Sequence, residues 1–188
     1  MLSVITRTSN RPNYFKNCRE SVLKQTIPVE HITISDSDES YMADLQLVLR
    51  VTKRDGEYPY NLYFNEAKDY IISDYVMFLD DDDMFTKPDS AEIILNNLDE
   101  DTLLLWKVRF GMRTIPETVP GVIEFGKISG IGFAYHKKHW VDWQNKRGGD
   151  YLVIKELSEK LKVKWIDEVL TGLQHPLGMA GMAKGQDL

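Results

Sequence analysis

Four short apolar runs, separated by segments of helical periodicity, constrain this chain more than any other feature. They are "LSVITR" (2–7), "HITIS" (31–35), "YVMFL" (75–79) and "TLLLWKVRF" (102–110). Each is rich in β-branched or large apolar residues, as a buried strand requires. Between the first two lies 11–26, with Pro12 near its start and Phe15, Cys18, Val22 and Leu23 on one helical face. Helical spacing also predicts a helix over about 40–52, through Met42, Leu45 and Leu49, a second near 64–72, and a third after Pro88. Strands alternating with helices imply an α/β fold with a mixed, mostly parallel sheet flanked by helices. The second half is less regular. "VIEFGKI" (122–128) and "GIGFAYH" (130–136) read as strands, 150–162 as an amphipathic helix, and "VKWIDEVLTG" (163–172) as the last strand.

In a sheet of this kind ligands bind beyond the carboxyl ends of the strands. Polar clusters stand at three such ends: "TSNR" after the first run, "DSD" (36–38) after the second, and Asp80–Asp83 after "YVMFL". Four adjacent carboxylates repel one another and are costly to desolvate. A hard divalent cation relieves that repulsion through oxygen ligands, and Mg²⁺ completes its shell with water and substrate phosphates. Spare aspartates can accept hydrogen bonds from sugar hydroxyls. A solvated acidic loop ahead of a helix is the plain alternative. In "RTSNRP" (7–12) the side chains offer donors to a phosphate or a base, or Asn10 caps the following helix. Asp36 accepts from a base or ribose, or caps a helix. Asp150 follows a glycine pair into a helix, where it serves as a general base, an N-cap, or both. Among His31, His136, His139 and His175, the last is the best candidate for a metal or phosphate contact. Trp140, Trp143 and Trp165 are expected in the core, with sugar stacking as the alternative.

Bulk properties narrow the class. A net charge of −6 argues against general nucleic-acid binding, which depends on a basic surface. No segment approaches the roughly 20 apolar residues of a membrane span. The single cysteine, Cys18, permits no internal disulfide, and residues 1–10 lack the pattern of a signal peptide, so a cytoplasmic location is expected.

Order and spacing are more specific than any one cluster. "SVITRTSNRPNYFKNCRESVLKQTIPVEHITISDSDES" resembles the opening of glycosyltransferase family 2: a strand, an Asn-Arg-Pro turn, a helix ending in Ser-Val-Leu-x-Gln-Thr, and a strand ending in aspartate. "NEAKDYIISDYVMFLDDDD" resembles the family's Asn-containing helix followed by Phe-Leu-Asp-x-Asp-Asp. The likeness is strong over about 2–98 and weaker afterwards, where "GGDY" resembles the Gly-Glu-Asp-Tyr segment and "VLTGLQHPLG" the final strand leading to a histidine.

The resemblance implies a GT-A (Rossmann-like) fold in a single domain, 1–188, with a nucleotide-sugar half (1–105) and an acceptor half (106–188). It implies an inverting, metal-dependent glycosyltransferase taking a sugar from a nucleotide-diphosphate donor, UDP-sugar favoured, to a glycan or other hydroxyl acceptor. Thr8, Asn10, Arg11, Asp36, Asn65, Asp80 and Asp81 then contact the donor; Asp80, Asp82 and His175 hold Mn²⁺ or Mg²⁺; Asp150 is the catalytic base. Three positions depart from the pattern. Ser37 stands in place of a second aspartate, Gly149 in place of the glutamate before the base, and Phe64 where an arginine is common. The donor-phosphate contact of that arginine is therefore missing or supplied elsewhere. The short chain leaves room for additional domains or subunits. Two other classes compete: a metal-dependent phosphohydrolase or nucleotidyltransferase using the same aspartates, and a non-catalytic sugar- or nucleotide-binding module. Met84 does not suit the haloacid-dehalogenase version of the first, which has Thr or Val after Asp-x-Asp.

Overall fold

The computed structural model describes residues 1–36, 40–42, 47–52 and 55–174. The predicted runs become β1 (Leu2–Thr8), β2 (Val29–Ser35), β4 (Tyr75–Phe78) and β6 (Thr102–Phe110). With β3 (Val48–Arg50), β5 (Asp83–Phe85), β7 (Arg113–Ile115), β8 (Phe133–His136) and β9 (Lys162–Leu173) they build one sheet, in the order β3-β2-β1-β4-β8-β6-β9-β5, with β7 paired to β6. β3, β2, β1 and β4 run parallel, and so do β6 and β9. β8 lies antiparallel between β4 and β6, and β5 is antiparallel to β9. Two antiparallel steps across β8 bring β6 and β9 back to the direction of β1. The carboxyl ends of β1, β2, β4, β6 and β9 therefore share one edge.

β1, β4, β6 and β8 are largely buried on both faces, and their side chains alternate between two cores. Leu2, Val4, Met77, Leu104 and Trp106 pack with Cys18, Val22 and Ile94, under α1 (Pro12–Leu23) and α2 (Ser90–Asn96). Ile5, Phe78, Leu103 and Phe133 pack with Phe64, Ile154 and Leu157, under α3 (Gly149–Lys160) and a 3-10 helix, Pro59–Tyr70. Trp143 lies in this second core as expected, edge-on to Phe78 at 4.8 Å between ring centroids, and Trp140 and Trp165 pack at its margin.

Three expectations are corrected. The helix over 40–52 is replaced, within the described residues, by one 3-10 turn, Ser40–Met42, and the edge strand β3. Leu45 and Leu49 mimic helical spacing, but Val48, Val51 and Thr52 favour extended backbone, and Val51 N–H donates to the Ser35 carbonyl at 2.9 Å. "VIEFGKI" forms turns rather than a strand. The helix near 64–72 begins earlier, at Pro59, and is wound as a 3-10 helix.

Candidate functional site

Asp36, the turn after β1 and Asp80–Asp83 meet at the carboxyl edge because β2, β1 and β4 are adjacent and parallel. At the end of β1 the chain turns through Asn10, whose φ of 50° is a left-handed conformation that asparagine tolerates better than most residues. This turn throws Arg11 back over the end of β4. Arg11 is the N-cap residue of α1, and no side chain caps that helix. Its guanidinium instead grips Asp81 with two parallel hydrogen bonds, one from Nε at 3.0 Å and one from Nη2. Arg7, four residues earlier and on β1, donates from Nη2 to Asp80 Oδ2 at 2.9 Å and pairs through Nε with Asp80 Oδ1 at 2.7 Å. Two arginines thus stand among the four aspartates.

The aspartates are not equivalent. Asp81 is wholly buried, and Asp83 nearly so as the first residue of β5, paired with Leu173 of β9. Burial pushes the Asp81 carboxyl up to about 7, against the charge of Arg11 and reinforced by Asp82. Burial raises Asp82 as well, and raises Asp83 well above the ordinary aspartate value, with Asp82 and Asp80 adding to the effect. Gln174 ties this turn to the end of β9. Its Nε2 donates to the carbonyls of Asp81 (3.0 Å) and Asp83 (3.1 Å), and its backbone N–H to that of Asp82 (2.9 Å).

Carboxylate oxygens of Asp80, Asp82 and Asp83 all lie within 4.8 Å of one another, so a divalent cation fits a three-carboxylate set. Asp80 Oδ1 is buried without an aligned hydrogen bond, which leaves a lone pair for such an ion. Arg11 Nη1 is its counterpart, a buried donor with no hydrogen bond, 3.4 Å from Asp82 Oδ2. A site that holds back both an acceptor and a donor suits a metal together with an anionic ligand.

Other predicted residues are placed as follows. Thr8 Oγ1 is 3.2 Å from the Tyr41 hydroxyl, and Asp36 Oδ2 accepts from the Tyr63 hydroxyl at 3.1 Å, both beside the aspartate edge. Asn65 spends its amide on one backbone unit, donating to Trp143 O (3.0 Å) and accepting from Trp143 N–H (2.8 Å). Asp150 lies in the first turn of α3, where Gly148 is the N-cap. Burial raises its pKa, opposed by the Tyr151 N–H and by the charge of Arg7, while Asp80 adds to the rise, so Asp150 lies within electrostatic reach of both. His175 and Ser37 lie outside the described residues.

Three residues of this site escape sequence reasoning. Arg7 reads as part of a strand, yet its guanidinium rests on the rings of Phe64 (4.6 Å) and Tyr60 (4.7 Å). A cation is thus seated directly on Phe64, at the position where the sequence resemblance leads one to expect an arginine. Asn61 accepts from Arg7 Nη1 at 3.1 Å and donates to the carbonyls of Lys146 (2.9 Å) and Gln144 (3.3 Å), tying the loop before Asp150 to the aspartate site. The same amide explains Gly149: a Cβ there would meet Asn61 Nδ2 at 2.7 Å. Asp83 is the third only as a named ligand, since the whole Asp80–Asp83 run is already a candidate cation site in the sequence. Its only separate sequence signal is the apolar Met-Phe pair that follows it.

No protein-family model and no curated protein matches the sequence. Solved structures do. S. aureus TarS 1-349 in complex with UDP-GlcNAc aligns over 91% of this chain and 57% of its own, with a TM-score of 0.69 and 20% identity. A mannosyltransferase, PcManGT from Pyrobaculum calidifontis, in complex with GDP-Man and Mn²⁺, aligns over 91% and 56%, with a TM-score of 0.67 and 12% identity. A nucleotidyl transferase, Mth528 from Methanothermobacter, aligns over 94% and 88%, with a TM-score of 0.63 and 12% identity. The chain spans little more than half the length of the first two proteins. The mixed sheet, its helices and its matches agree: the chain has the GT-A fold found in nucleotide-sugar glycosyltransferases.

Proposed function

We propose that the protein is a metal-dependent glycosyltransferase that uses a nucleotide-diphosphate sugar, with UDP-sugar favoured, and inverts the anomeric centre. The observation that carries the reading is the pairing of a metal-sized carboxylate set with one guanidinium donor, Arg11 Nη1, that has no hydrogen bond, at one sheet edge. The fold matches support it, since proteins of this fold bind UDP-GlcNAc, or GDP-Man with Mn²⁺. In this reading residues 1–105 hold the donor and 106–188 the acceptor.

Asp80, Asp82 and Asp83 would hold Mn²⁺ or Mg²⁺, with His175 as a further candidate ligand. Bound there, the ion supplies positive charge beside the donor's diphosphate. Arg11, oriented by Asp81, offers its free Nη1 to a phosphate oxygen. Arg7 supplies the second guanidinium, in place of the arginine that Phe64 displaces. Both are positioned before the reaction and so stabilise the charge that develops as the nucleoside diphosphate leaves. Thr8, Asn10 and Asp36 line the nucleotide side, and Asn65 acts at one remove by holding Trp143. Asp150 takes the proton of the acceptor hydroxyl as its oxygen attacks the anomeric carbon and the bond to the diphosphate breaks. Its raised pKa suits a base, because proton transfer is most effective when the catalytic pKa approaches the working pH.

Asp150→Asn is expected to lower turnover by roughly 10²–10⁴-fold while leaving UDP binding intact, measured by UDP release and by calorimetry. Near-full turnover in that variant would remove Asp150 from the role. The likeness to Mth528, which covers 88% of that protein, favours nucleotidyl transfer as the second reading. Product analysis separates the two: a glycosyltransferase releases UDP from a UDP-sugar, whereas attack on the phosphorus nearest the nucleoside moves the nucleoside monophosphate group onto the attacking oxygen and releases the sugar 1-phosphate.

A further inference from the structure

A second charged site lies along the same sheet, away from the aspartates. β6 and β7 form a tight hairpin, with Phe110 paired to Arg113 and Gly111 at a φ of 62° in the turn. Beside it is an open pocket of about 660 Å³, whose lining includes Lys87, Arg109, Arg113 and Glu117. Three cations against one anion is a local excess of positive charge in a chain of net charge −6.

These cations differ in how far they are already committed. Lys87 pairs with Glu168 on β9. Arg113 lies over the Phe110 ring at 5.7 Å, a contact that leaves its N–H groups free. Arg109 is exposed, and its guanidinium has no ion-pair or hydrogen-bond partner among the described residues. It is nonetheless directed. Arg109 is in register with Gly172 of β9, which is in register with Met84 of β5. A Cβ at Gly172 would fall 2.8 Å from Arg109 Cβ and 3.2 Å from its Nε. The missing side chain lets Arg109 lean across β9 toward β5. The next row of the same ladder pairs Leu173 with Asp83, so Arg109 stands one row and two strands from the candidate metal cluster.

We propose that this pocket binds an oxyanion, phosphate or carboxylate, carried by the acceptor, with Arg109 and Arg113 as its ligands. The inference rests on the glycosyltransferase reading, and it narrows the acceptor from any hydroxyl compound to an anionic one. Guanidinium groups present forked donors that match the paired oxygens of both anions. Leaving two arginines uncommitted at the carboxyl end of β6, on the sheet edge that also carries the aspartates, fits a ligand that brings its own negative charge.

The test titrates the wild-type protein at low salt with glucose 6-phosphate, glucuronate and glucose, following the arginine Nε–Hε signals by NMR. The two anionic sugars should shift arginine signals that disappear in Arg109→Ala/Arg113→Ala, and neutral glucose should not. The stronger anion identifies phosphate or carboxylate as the preferred group. In the double variant the anion should bind at least about tenfold more weakly, and wild-type binding should weaken with added salt. Shifts of equal size with glucose, shifts retained in the double variant, or no shift with either anion would overturn the proposal. Calorimetry of UDP with Mg²⁺ on both proteins keeps the two readings apart. Wild-type protein that binds no UDP counts against the donor site, whatever the pocket does. A double variant that binds UDP normally is folded, and its lost anion binding then belongs to the pocket.

Discussion

Arg7, and Asp83 as a named ligand, carry the most chemistry that a linear reading overlooks, and each yields a sharp expectation. Arg7 bonds Asp80 and Asn61 and lies on two aromatic rings, so its guanidinium is held rigidly where a diphosphate would sit. Hydrogen bonds to a charged group are worth about 1.5–3 kcal/mol, so Arg7→Ala should weaken UDP binding by roughly 10- to 150-fold by calorimetry. Affinity within a factor of two of wild type would place the phosphates elsewhere. Asp83 tests the other half of the site. Its buried carboxyl faces three like-charged neighbours, which disfavours its ionised form. Asp83→Asn should therefore leave the metal-free melting temperature unchanged or raised, and yet remove most of the stabilisation gained on adding Mn²⁺. A full Mn²⁺ shift in that variant would take Asp83 out of the ligand set.

At the scale of elements, what could be read in advance depended on whether burial is continuous. β1, β4, β6 and the second half of β2 declare themselves because both their faces are covered and apolar residues crowd together, whereas β9 shows only through the apolar residues between its exposed charges. β3 is an edge strand of three residues whose neighbours imitate helical spacing, and β5 starts with a charge, so neither has that signature. The same logic divides the site. Aspartates at a strand end and an Asn-Arg-Pro turn stand out against apolar flanks, and Asp150 follows a glycine pair. Arg7 hides inside a strand, and Asn61 lies ahead of the helix expected near 64–72. The 3-10 helix is what joins these parts: Asn61 and Asn65, one turn apart, hold the backbone at 143–146 just before α3. Close contact makes Asn61 and Gly149 an energetically coupled pair. Gly149→Ala should lower the melting temperature, because its Cβ displaces the Asn61 amide. Asn61→Ala should cost about 1–3 kcal/mol through the carbonyls it leaves unpaired. With the amide already gone, adding Gly149→Ala should cost much less than it does alone. Strict additivity by thermal melts would mean that the two residues do not share that space.

The whole molecule carries the charge problem as a dependence of stability on pH. Asp81 titrates near 7 in the folded protein, and Asp82 and Asp83 are also raised, mainly by burial. Between the ordinary aspartate value and these raised values the folded state keeps protons that the unfolded chain releases. Stability linked to these groups therefore falls as pH rises from about 4 to about 7. His31 works in the opposite direction: burial and the charge of Arg19 lower its pKa to about 4, so its contribution is lost as pH falls from the ordinary histidine value toward 4. The sum is hard to read from metal-free melts alone, but the metal separates the two terms. A cation bound by Asp80, Asp82 and Asp83 needs them ionised, so its binding displaces protons and strengthens with pH, and His31 is not among the acids of that set. The rise in melting temperature on adding Mn²⁺ should be small near pH 5 and increase through about pH 7. It should stay small at every pH in Asp82→Ala. A Mn²⁺ shift that is the same at pH 5 and pH 8 would mean that the ion, wherever it binds, does not draw on the buried carboxylates at the end of β4.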